Sequence, residues 1–354
     1  MHCQPHSPVL MPGWLASAVR PEECGERIGK AMKKTRSRNT RPGVLAAAAA
    51  LALVLVLGLS GCGGQGKGTP PAKDGQPPEG FPMTLIDDLG YEAAFDKAPE
   101  KIVSLSPANT EILFALGLGD KVAARTDYCN YPKEAEALPS IGDFNAPNVE
   151  KIISLMPDLA MATDFIQDDI RAQLEAAGIK VVVYNAQSID EVKADVEKTG
   201  WITGAREAAA RINEEIEERR RAVAKAVKAA LHEPRSVFID IGDFYSAGEG
   251  SLLDSQLSEL GLKNIAADIG MQWPQLPIET IIAADPDVYV SFYTKPEELR
   301  KVDGLNAVKA IRDGRIVYYE MLSPKSDLVQ RPGPRIALGL EQLARDIVPE
   351  AFQQ

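Results

Sequence analysis

Few residues in this chain are placed to do covalent chemistry. Histidine occurs only at His2, His6 and His232, and one histidine in the body supports neither a His-rich zinc site nor a Ser-His-Asp triad. Cys3, Cys24, Cys62 and Cys129 lack CxxC spacing, so neither a zinc ribbon nor a disulfide framework is indicated. Cys129 has no base to activate it and reads as a small, semi-buried thiol. Gly61 to Thr69 nearly spells a phosphate-binding loop, but Gly68 stands where Ser or Thr must ligate magnesium. The pattern predicts no catalytic residue, no metal site and no prosthetic group.

The chain offers binding surface instead. Asp127-Tyr128-Cys129-Asn130-Tyr131-Pro132 follows a strand-like run, at the sheet edge where open α/β proteins bind ligands; a turn with both tyrosines packed inward is the equal alternative. Trp273-Pro274-Gln275 places a tryptophan in a polar loop, as a stacking surface or as satellite packing. Gln330-Arg331-Pro332-Gly333-Pro334-Arg335 precedes the last helical stretch and presents Arg331 rigidly, unless it is only a helix start with Arg335 solvated. Gly248-Glu249-Gly250-Ser251 reads as a turn feeding a Ser-capped helix rather than an anion nest. Asp87, Asp88 and Asp240 read as scattered, solvated carboxylates.

These residues need elements to hold them. Ile102–Leu105, Lys121–Arg125, Leu159–Ala162 and Lys180–Tyr184 read as strands, alternating with helical patterns. After Pro234 the alternation restarts, with strands at Ser236–Ile241, Val288–Phe292 and Arg315–Tyr319 and a last helix at Pro334–Ile347. The halves match without a gap at an offset of 129 residues: Val149-Glu150-x-Ile152-Ile153-x-x-x-Pro157-Asp158-Leu159 against Ile278-Glu279-x-Ile281-Ile282-x-x-x-Pro286-Asp287-Val288. Phe144 and Trp273 stand in the same register. Each half thus carries an aromatic in a loop and a Glu in the first turn of the next helix, where a carboxylate also simply favours the helix dipole. Gly204 to His232 reads as one helix with Ile212, Ile216, Val223 and Val227 inward and Glu215–Arg219 and Glu217–Arg221 as i,i+4 pairs. The predicted fold is α/β, two similar lobes joined by one long rigid helix with a ligand cleft between them.

Charge and the amino terminus complete the outline. The chain has 354 residues and a net charge of −11; residues 62–354 hold 31 Lys/Arg against 47 Asp/Glu, a poor match for nucleic-acid phosphates. Before them, a basic cluster from Lys30 to Arg41 leads into sixteen uncharged residues, Val44–Leu59, the order of a secretory signal rather than a spanning helix of about 20 apolar residues. Leu59-Ser60-Gly61-Cys62 is similar to a bacterial lipobox, and Gly63 to Gly80 reads as a flexible tether. Met32 is a more natural start than Met1. The divisions read as 1–61 (upstream extension and signal), 62–82 (tether), 83–203 (first lobe), 204–233 (linker helix) and 234–354 (second lobe).

Taken together, Ser104-Leu-Ser-Pro107-Ala-Asn109-Thr-Glu111, the Asp127–Pro132 loop, Trp273-Pro-Gln275 and Arg331-Pro-Gly-Pro-Arg335 resemble the cobalamin-binding lipoproteins of ABC importers. These belong to a helix-linked family that also handles ferric siderophores and haem, and the resemblance runs from about Leu85 to Glu350. It implies an extracytoplasmic, lipid-anchored protein, acylated at Cys62, that captures cobalamin or a related corrinoid and delivers it to a dimeric permease. It implies ligand contacts from Pro107, Tyr128, Tyr131, Phe144, Trp273, Gln330 and Arg331, and permease docking by Glu150 and Glu279. Phe144 stands where some members carry Trp, and Val329 where an aromatic can occur. A ferric-siderophore or haem binder of the same fold is the alternative, with Tyr128 or Tyr131 available as an axial ligand.

Overall fold

The computed structural model describes residues 80–353; Cys62, the lipobox-like segment, the near phosphate loop and the tether up to residue 79 lie outside them. A hairpin of β1 (Met83–Ile86) and β2 (Glu92–Phe95) comes first. The first lobe follows as β3 (Ile102–Ser104), α1 (Pro107–Ala115), β4 (Val122–Ala124), α2 (Val149–Ser154), β5 (Leu159–Thr163), α3 (Asp168–Ala176), β6 (Lys180–Tyr184) and α4 (Ile189–Thr203). Its parallel sheet has the order β4-β3-β5-β6. Alternation along β5 explains the layers. Leu159 and Met161 pack with Ile112, Leu113 and Val196 of α1 and α4, whereas Ala160 and Ala162 pack with Ile152, Ile170 and Leu174 of α2 and α3. Both faces are covered, so the strands read as unbroken apolar runs.

After α5 (Arg206–Ala230), the second lobe runs β7 (Ser236–Asp240), α6 (Leu252–Glu259), β8 (Lys263–Asn264), α7 (Ile278–Ala284), β9 (Val288–Ser291), α8 (Pro296–Leu299), α9 (Lys309–Arg312), β10 (Ile316–Tyr318), α10 (Pro324–Gln330) and α11 (Ile336–Ile347). Its parallel sheet, β10-β9-β7-β8, is wound like the first: second, first, third, fourth strand. The 129-residue repeat therefore has a structural basis. Asp158 accepts from the backbone N–H of Lys101 at 2.9 Å, and Asp287 from that of Ser236 at 2.9 Å, each tying the third strand's start to the first's. Met156 and Asp285, also equivalent, both close their helices at positive φ (49° and 43°).

The linker α5 touches both lobes. Ile212 packs against the cores of each, and Ala186, Ile189 and Val192 of the first lobe share one apolar cluster with Leu252, Val329 and Ile336 of the second. Arg220 pairs with Asp190 of α4 at 2.7 Å and with Glu259 of α6, one carboxylate from each lobe. The Glu217–Arg221 pair forms at 2.6 Å, but Arg219 turns to Glu341 of α11 instead of Glu215. The hairpin, β8 and α10 were not apparent from periodicity, being short or lacking alternation, and α11 begins at Ile336 rather than Pro334.

Three carboxylates read as solvated are each engaged by a protein partner, and two of them, Asp87 and Asp240, are buried. Asp87 is buried against Arg171 at 2.9 Å and Asp88 pairs with Lys198, which clamps the hairpin turn onto the first lobe. Asp240 is fully buried, accepting from the Tyr289 hydroxyl at 2.8 Å and from the Gly242 N–H at 2.9 Å. Each burial is permitted by a partner that replaces water.

Candidate ligand-binding cleft

In both lobes the chosen residues emerge from the carboxyl edge of a parallel sheet, where the strand order reverses and open α/β folds bind ligands. Ser104 to Glu111 leaves β3 and enters α1. Ser106 caps the helix by accepting from the Asn109 N–H at 3.2 Å, with Pro107 at the first helical position and half-exposed. Asn109 donates to the Ala162 carbonyl at 2.9 Å, and Thr110 contacts the Cys129 thiol at 3.0 Å, so α1 fixes both the end of β5 and the tyrosine loop. Cys129 is buried rather than semi-buried, and burial pushes its thiol above the usual range, which suits packing and not nucleophilic attack.

The tyrosine loop does not pack inward. Tyr128 is 37% exposed and Tyr131 is 45% exposed. Tyr128 meets Phe144 edge-to-face at 5.5 Å, and Phe144 meets Phe165 at 6.2 Å, giving three aromatic rings on the first lobe. The Tyr128 hydroxyl donates to Asp143 at 3.2 Å, and the carboxylate's charge holds the phenol above its usual pKa. Phe165 was missed; its place just after β5, at the same edge, was the available signal.

On the second lobe Trp273 is half-buried against the core, in the connection after β8 that is equivalent to the one holding Phe144. Gln275 pairs with Tyr245 and donates from Nε2 to the Asp243 carbonyl at 3.0 Å. Gly248 is required by close approach: a Cβ there would lie 2.2 Å from the Met271 carbonyl oxygen, so it seats the tryptophan loop rather than forming an anion nest. Ser251 caps α6 as its spacing predicts, accepting from the Asp254 N–H at 3.2 Å.

Gln330 is the last residue of α10 and donates to Ser326 Oγ at 2.7 Å. Arg331 is not presented freely. It pairs with Asp327 at 2.8 Å and crosses to the first lobe, reaching Glu111 at 3.1 Å, Asn130 Oδ1 at 2.7 Å and the Tyr128 carbonyl at 3.3 Å. Arg335 is not solvated either. It grips Glu111 with two hydrogen bonds of 2.6 and 2.7 Å and lies 3.6 Å from the centre of the Tyr131 ring. Glu111 is thus the cross-lobe partner that sequence reasoning passed over, visible there only as the last letter of the Ser104–Glu111 motif. Glu150 and Glu279 lie exposed in the first turns of α2 and α7.

Elsewhere, a groove of about 630 Å³ runs between α5 and α11, but the Arg219–Glu341 ion pair crosses it. Among the described residues no cluster of His, Cys, Asp or Glu is placed to hold a metal ion, and no helix is long and apolar enough to cross a membrane.

Residues 102–321, which take in both parallel sheets, match the periplasmic binding protein family. The chain belongs to that family. Among its relatives, an uncharacterized ABC transporter substrate-binding lipoprotein of Bacillus subtilis (YvrC) is 37% identical, over 80% of this chain and 91% of the relative. A cobalamin-binding protein of Halobacterium salinarum is 29% identical over 75% of this chain and 73% of its own length. The solved structure of the periplasmic haem-binding protein RhuT of Roseiflexus sp. RS-1 superposes with a TM-score of 0.63 at 27% identity, covering 71% of this chain and 99% of that one. As in other helix-linked periplasmic binding proteins, the two-lobed architecture is common ground for different ligands. The cleft side chains must separate them.

Proposed function

We propose that this periplasmic binding protein captures cobalamin, or a related corrinoid, between its lobes and delivers it to the permease of an ABC importer. In this reading it is extracytoplasmic, anchored through lipid on Cys62, and does no catalysis. Pro107, Tyr128, Tyr131, Phe144, Trp273, Gln330 and Arg331 form the ligand surface, and Glu150 and Glu279 dock on the permease. The observation that carries the choice of ligand is the state of the two cleft arginines. Arg331 and Arg335 are already matched by Glu111 and Asp327. What remains is aromatic area with amide and hydroxyl groups, which suits a flat, amide-fringed macrocycle.

The likeness to a haem-binding structure favours haem as the second reading, with a ferric siderophore behind it. Haem brings two carboxylates and a ferric iron that takes a phenolate well. Here the cations are spent, and the charge of Asp143 beside the Tyr128 hydroxyl raises the phenol's pKa, which disfavours the phenolate that ferric iron would take. The absorption spectrum of protein purified from medium supplied with both corrinoid and haem tests the assignment. Corrin bands at one equivalent are expected; a Soret band in their place would shift the ligand to haem.

A further inference from the structure

We propose that Glu111 is the positioning residue of the cleft: from beneath, and through two arginines of the opposite lobe, it holds the tyrosine loop in its binding geometry. This deepens the ligand reading above and rests on it for its affinity test alone. The Glu111 side chain is 1% exposed, yet its carboxylate receives two guanidinium groups from the second lobe. Each guanidinium continues to the loop. The Arg335 guanidinium lies over the Tyr131 ring, and Arg331 donates to the Tyr128 carbonyl and to Asn130 Oδ1. Asn130 in turn donates to Asp327 at 2.9 Å, and Asp327 pairs with Arg331, so two carboxylates balance two cations across the lobe boundary.

Replacing Glu111 leaves Arg331 paired with Asp327 alone. Arg335 then loses its only paired carboxylate among the described residues and its reason to lie over Tyr131. The loop, rather than the fold as a whole, should loosen. A double-mutant cycle separates positioning from general damage. Glu111→Gln should weaken cyanocobalamin binding by on the order of tenfold. Adding Tyr131→Ala to it should cost little more, because the loop is already displaced, whereas adding Trp273→Ala should multiply the loss. Unchanged affinity in Glu111→Gln, or full multiplication with Tyr131→Ala, would overturn the proposal. Should Glu111→Gln melt below the assay temperature, Arg335→Gln, which leaves Glu111 paired with Arg331, must show the same pattern.

A second readout needs no ligand. Spin labels on Gln173 and Glu297, exposed positions on α3 and α8, report the distance between the lobes. Its distribution should broaden in Glu111→Gln, and an unchanged distribution would contradict the cross-lobe role. Wild-type protein that binds neither cyanocobalamin nor haem would remove the ligand reading while leaving this test standing.

Discussion

Trp273 and Arg331 looked alike in the sequence, each a conspicuous side chain in a proline-bound loop, and the fold treats them differently. Trp273 keeps a half-exposed ring, set in place by the tight Gly248 contact with the Met271 carbonyl. Arg331 is consumed by Glu111, Asp327 and Asn130. The difference was not legible, because loop composition states which residues are offered and not who answers across 200 positions of sequence. Loss of one good aromatic surface should cost about 1–3 kcal/mol of ligand affinity. Trp273→Ala should therefore bind cobalamin roughly ten- to hundredfold more weakly by calorimetry with little change in melting temperature. Unaltered affinity would take the tryptophan out of the cleft.

Among the elements, β5 and β6 were legible from their apolar runs, whereas β8, with two residues, was not. Helix α4 carries a feature that patterning hides. Asp195 faces inward, where burial and then the neighbouring Asp88 push its pKa up to about 8, against the pull of Lys198. Glu191 on the same helix and Tyr184 of β6 complete its surroundings. A raised pKa means that the folded state holds a proton the unfolded chain releases near pH 4. Stability from this site is thus full below pH 4 and is lost as the pH climbs to about 8. Asp195→Asn keeps an acceptor for Lys198 without the ionisation. It should match wild type near pH 4 and exceed it by on the order of 1–3 kcal/mol at pH 8 in denaturant titrations. A gap that stays constant or shrinks with rising pH would mean that Asp195 is ionised in the fold.

At the scale of the molecule, the repeat is the feature that sequence showed most plainly, because equivalent lobes repeat equivalent constraints. The Pro157-Asp158 and Pro286-Asp287 pairs clamp corresponding strands, and Glu150 and Glu279 begin corresponding helices. Two related lobes offering matched carboxylates suit a partner with twofold symmetry. Replacing both glutamates with Ala should impair uptake and complex formation, most at low salt, with ligand affinity intact; normal uptake with slightly lower stability would assign them to the helix dipole alone. Cys62→Ser should release the protein from the membrane fraction, and a wild-type protein that keeps residues 44–61 and an unmodified thiol would exclude the anchor. Arg220 at the linker and Glu111 between the lobes each join one lobe to the other, and on the proposed reading such ties favour a surface already shaped for its ligand. Calorimetric titration of the purified body with cyanocobalamin, beside haem, therefore tests the account most directly. One-to-one cobalamin binding, tighter than haem, is the predicted result; no cobalamin binding beside tight haem binding would contradict it.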